Sequence, residues 1–67
     1  MEQAIIDAVK AHAKANYDKG WDTVVECYDD ADIARTCKGA RTAKGAIKKM
    51  AEDVRIYNEY AADICGA

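Results

Sequence analysis

Sixty-seven residues carrying twelve acidic and ten basic side chains, with no Pro and on counting no Ser, Leu or Phe, make a single short domain of formal charge −2 spanning 1–67. A chain of this size buries only roughly 60% of the surface that its unfolded form exposes, which leaves little core for a deep pocket. Charged residues at 33% and the absence of any uncharged stretch near the ~20 apolar residues of a membrane span exclude a membrane-embedded chain and point to an all-α, soluble one.

From Glu2 to about Lys19 the chain has no Gly or Pro, and Ile5, Ile6, Val9, Ala13 and Tyr17 recur at three- and four-residue steps, the period of one apolar helix face. Gly20 is suited to the left-handed conformation that stops a helix. Beyond it, Asp22 or Thr23 is expected to cap a short second helix, since Thr23 and Glu26 have capping-box spacing and Val24, Val25, Cys27 and Tyr28 supply the apolar side. Trp21 is expected to anchor the end of the bundle that the short helices close. Asp29 or Asp30 then caps a third helix carrying Ile33, Ala34 and Cys37 and closed by Gly39.

Thr42 caps the longest helix, Ala43 to Ile64. Here Ala43, Ile47, Met50, Val54, Tyr57, Ala61 and Ile64 form a heptad seam. Ala at two seam positions weakens an intermolecular zipper, so the seam is expected to pack on the first helix. A homodimer through the seam is the alternative. The fold expected is thus a small three- to four-helix bundle whose long C-terminal helix lies antiparallel to the first.

Two charge clusters stand out. Asp22, Glu26, Asp29, Asp30 and Asp32 crowd the first turns of helices two and three, where negative charge meets the positive end of the helix dipole at ~0.3–1 kcal/mol apiece. Calcium is disfavoured there, because a loop starting at Asp30 has Arg35 and Arg41 where the binding loop needs Gly and Glu. Arg35, Lys38, Arg41, Lys44, Lys48 and Lys49 run with no acidic residue between Asp32 and Glu52, and they load the start of the last helix while Glu59 and Asp63 load its end. That is the reverse of what the dipole favours. Pairs such as Lys48–Glu52, Lys49–Asp53 and Arg55–Glu59 recover a few tenths of a kcal/mol each, roughly. The segregation of charge marks Asp29, Asp30 and Asp32 on the acidic side and, kept there against local preference, Arg41, Lys44, Lys48 and Lys49 on the basic side as candidate partner contacts.

Chemistry is not indicated. There is no Ser nucleophile, His12 has no Cys or carboxylate at a recognisable spacing, and Ala46, not Lys, follows Gly45, so Gly39 to Gly45 is no phosphate loop. No cofactor or metal is expected. Cys27, Cys37 and Cys65 are odd in number and form no C-x-x-C; they read as buried free thiols, which with the absence of a leader-like start suggests the cytoplasm.

The stretch Trp21-Asp22-Thr23-Val24-Val25-Glu26-Cys27-Tyr28-Asp29-Asp30-Ala31-Asp32-Ile33-Ala34 resembles a group of small phage and prophage proteins with a W-D-x-x-V-E-x-x-D-D-x-D-I-A core, and the likeness extends more loosely through Gly39-Ala40-Arg41-Thr42. The resemblance implies a non-enzymatic accessory protein in the host cytoplasm, one that binds a protein partner and modulates or inhibits a nucleic-acid-handling or defence machine. The alternative is a DNA-binding module: Asp32-Ile33-Ala34, the turn 39–42 and Ile47 resemble a helix-turn-helix with its reader helix starting at 43. Ala34 and Gly39 are five apart where that motif has four, and a pI of about 5.2 works against counterion-driven duplex binding, so the protein partner takes precedence.

Overall fold

In the computed structural model, residues 2–64 are described, with side chains to Tyr60. Among them are four α-helices and no strand: α1 (Gln3–Ala15), α2 (Asp22–Cys27), α3 (Asp30–Thr36) and α4 (Ala43–Ile64). α1 buries Ile5, Ile6, Val9 and Ala13, the face that its periodicity marks. It ends four residues earlier than expected. Asn16 supplies the reason: its backbone N–H and its side-chain amide both donate to the His12 carbonyl, at 3.0 and 2.8 Å, and the chain tightens into a 3₁₀ turn over Tyr17–Lys19. Gly20 follows at φ 96°, a conformation that costs Gly little and other residues much.

α2 starts at Asp22, but neither expected cap forms. Trp21 holds the N-cap position without a side-chain cap, its carbonyl accepting from Val24 and Val25 N–H, and Glu26 accepts instead from the Tyr17 hydroxyl at 2.9 Å. α3 has the full capping box: Asp32 N–H donates to Asp29 at 2.8 Å and Asp29 N–H to Asp32 at 3.2 Å. α4 has the bounds expected, and the Thr42 hydroxyl accepts from Gly45 N–H at 3.1 Å.

The core comprises Ile5, Ile6, Val9, Ala13, Trp21, Val24, Ile33, Cys37, Ala46, Met50 and Val54. Within α4 the buried stripe is Ala46, Met50 and Val54, spaced by four. Met50 and Val54 of the heptad seam lie inside this single chain, Ile47 is half-buried, and Tyr57 is 47% exposed, so the seam leaves the core after Val54. Ala61 and Ile64 lie outside the described side chains. α4 packs on α1, as the bundle reading requires.

Its sense is the part the contacts correct. Asn58 of α4 donates to the carbonyl of Gly20, just past the end of α1, while Gln3 and Lys10 hold Asp30 at the start of α3 and the Cys37 thiol meets the Ala46 carbonyl at 3.3 Å. An antiparallel α4 would carry Ala46 some 18 Å past Gly20, by the 1.5 Å rise per residue, and out of reach of Cys37. The chain therefore runs up α1, back through α2 and α3, and up again through α4. Because α2 and α3 together make the return, they line the length of α1 instead of closing one end.

Candidate partner-binding surface

The acidic candidates are engaged within the fold. Asp29 and Asp32 satisfy the backbone at the start of α3, and Asp32 also pairs with Arg35. Asp30 accepts from Lys10 Nζ at 2.8 Å and Gln3 Nε2 at 3.2 Å, fastening α3 to α1. The Lys10 hydrogen bond, followed by that from Gln3, holds the Asp30 carboxyl below its usual range, and the Asp30 bond raises the Lys10 ammonium above its own. Both groups remain exposed, so this is a positional tether more than a source of stability.

The basic candidates are free. Arg41, Lys44, Lys48 and Lys49 are all exposed, and among the described residues none lies within ion-pair distance of a carboxylate. The Lys48–Glu52 and Lys49–Asp53 pairs expected from spacing do not form, whereas Arg55 takes both Glu52 and Glu59 at 2.9 Å. Asp53 is turned inward, where it accepts a 2.5 Å hydrogen bond from the Tyr28 hydroxyl. At about 100° per residue, Lys44 and Lys48 share the helix face opposite Met50, with Arg41 in the turn just before it, and Lys49 sits on a flank. That flank faces the α3–α4 turn, because a Cβ on Gly39 would lie 3.9 Å from Lys49 Nζ. Arg41 also borders a shallow depression of about 340 Å³ shared with Ala34, Lys38, Gly39 and Ala40. The four cations thus form an outer row of three and one lateral member.

Tyr28 and Asp53 are a pair that sequence reasoning missed, since a separation of 25 residues carries no local signal. Their bond ties the α2–α3 junction to α4. It pushes the Tyr28 phenol up to about 12, chiefly because the phenol must stay protonated to donate, with burial adding to the effect. The folded value lies above the ordinary 10.0, so the stability from this bond is complete below pH 10 and is lost as pH rises from about 10 through about 12. Tyr28→Phe is expected to cost about 1.5 kcal/mol in urea unfolding at neutral pH. The gap between the two proteins should close across that alkaline window; a gap that stays constant to the top of it would show that the bond contributes nothing.

Of the cysteines, Cys37 is fully buried, and burial raises its thiol above the ordinary value; Cys27 is exposed, against expectation, because α2 turns that side outward. Cys65 lies outside the described residues. His12 packs edge-on against Trp21, ring centroids 4.6 Å apart. Among the described residues there is no group of three or more His, Cys, Asp or Glu placed to hold a metal, and no helix is long and apolar enough to cross a membrane. Compared with protein-family models, curated proteins and solved structures, the chain matches none.

Proposed function

We propose that this chain is a non-enzymatic accessory protein of the small phage type, working in the host cytoplasm by binding an acidic surface of a protein partner through Arg41, Lys44 and Lys48, with Lys49 beside them. One observation carries this reading: these cations are exposed and unpaired, while the acids Asp29, Asp30 and Asp32 are spent on capping and tethering. Uncompensated positive charge in the first turns of a helix opposes the macrodipole, and folding does not require it there. Meeting an acidic partner requires no internal ion pair to be broken, so complementary charge goes directly into recognition and encounter rate. Modulation of a nucleic-acid-handling or defence machine is the role this surface would serve.

A second reading rests on the same row. Arg41, Lys44 and Lys48 open α4 directly after α3 and its turn, the order of a helix-turn-helix, although Thr42 already spends its hydroxyl on Gly45. One set of variants separates the two. Arg41→Glu/Lys44→Glu/Lys48→Glu changes only exposed side chains, so circular dichroism should be unaltered. Affinity capture of a protein partner from host lysate is expected to fall at least about tenfold in this variant. Capture indifferent to the reversal sinks the proposal. A labelled-duplex gel shift at about 50 mM salt that disappears in the variant would replace it with the nucleic-acid reading.

A further inference from the structure

The turn between α3 and α4 gathers positive charge with nothing beside it to neutralise it. Lys38 and Arg41 line the depression of about 340 Å³ there, and the Lys49 ammonium comes to its edge from α4, 3.9 Å from where a Cβ on Gly39 would stand. All three side chains are exposed, and among the described residues none has a carboxylate within ion-pair distance. The nearby acids are engaged elsewhere: Asp32 holds Arg35 and the start of α3, and Asp53, one turn along α4 from Lys49, accepts from Tyr28. The floor of the depression is fixed. Ala34 and Ala40 pack on the core, Ala40 N–H donates to the Cys37 carbonyl at 3.0 Å, and Gly39, at φ 91°, has no side chain to fill the space.

We propose that this depression binds the phosphate of a phosphorylated side chain on the protein partner. The proposal rests on the partner-binding reading above and names the chemistry of the contact. Three like charges around one small hollow repel one another, and an entering anion relieves that repulsion in proportion to its own charge. Near neutral pH a phosphate monoester carries about −1.5 to −2 and three acceptor oxygens, against a single charge and two oxygens for a carboxylate. Arg41 supplies a planar fork for two of those oxygens, and Lys38 and Lys49 supply point charges. The hollow is several times the ~30 Å³ share of one water, so it admits part of the side chain that carries the phosphate. Nucleic acid fits it less well: backbone phosphates carry one charge each and are spaced along a strand, which suits a row of cations better than three around one hollow.

An amide NMR titration of the full chain with a blocked Ala-phosphoserine-Ala peptide tests this. The peptide should move the Gly39 and Ala40 signals and bind at least about tenfold more tightly than the same peptide with Glu at its centre. Lys38→Gln/Lys49→Gln, both at exposed positions, should keep the helical spectrum and lose at least about tenfold in affinity for the phosphopeptide. No response at those amides, equal binding of the Glu peptide, or affinity untouched by the double substitution overturns the proposal. A single-stranded oligonucleotide that takes the same amides more tightly than the phosphopeptide overturns it in favour of nucleic acid. Lysate capture separates the proposal from the reading it rests on: phosphatase treatment of the lysate should cut capture at least about tenfold, whereas capture that survives treatment keeps the protein partner and removes the phosphate.

Discussion

Trp21→Ala is expected to cost about 3–5 kcal/mol, the range for emptying an aromatic site in a packed core. A chain of this length has a total stability of roughly 3–10 kcal/mol, so the variant should be largely unfolded or melt at least about 15 °C lower by circular dichroism. The size of the effect follows from what the indole replaces. Trp21 stands at the N-cap of α2 with no side-chain cap, is only 7% exposed, and lies edge-on to His12 of α1. Six residues of α2 cannot hold a helix unaided, so the ring that presses its start onto α1 substitutes for the missing cap. Trp21→Phe, which keeps part of the volume, should fall between the two. A midpoint for Trp21→Ala within about 2 °C of the parent would remove the anchoring role altogether.

The second large effect belongs to Ile33→Ala, at about 2–5 kcal/mol. Ile33 is the buried residue of α3 and is wholly inaccessible. α3 has seven residues, of which Ile33 alone is fully buried, with Ala34 packed beside it on the core and Asp30 held by Lys10 and Gln3 at its start. Removing the isoleucine should loosen the segment through Cys37, whose N–H donates to the Ile33 carbonyl at 2.9 Å, and hydrogen exchange there should accelerate before that of α1. Val25, 42% exposed on α2, provides the contrast: Val25→Ala should change stability by less than about 1 kcal/mol. Equal costs at the two positions would mean that α3 is not held by its isoleucine.

Both variants act on features only half visible in the residue order. That Trp21 and Ile33 belong inside was readable from their type and spacing. That Trp21 would stand where a cap belongs was not, because Thr23 and Glu26 have the spacing of a capping box and nothing local indicates that Tyr17 takes the Glu26 carboxylate. The candidate surface divides in the same way. The basic run was legible as a charge pattern, but the engagement of Asp30 depends on Lys10, twenty residues away, and the inward turn of Asp53 on Tyr28.

Local rules, acting over three or four residues, were enough to set much of what is helical here: the cap at Asp29, the Thr42 cap and the extent of α4 are written in neighbouring side chains, whereas α1 stops at Ala15, before the glycine expected to end it, and α2 starts without either expected cap. Direction and pairing came from the folded whole. A heptad identifies which side of a helix is apolar but is unchanged in that respect when the helix is turned end for end, so only contacts between distant residues, Asn58 with Gly20 and Cys37 with Ala46, make α4 run in the same sense as α1. The same contacts bury Met50 and Val54 and leave Ile56 and Tyr60 outside, while Lys44, Lys48 and Lys49 stay without a carboxylate partner among the described residues.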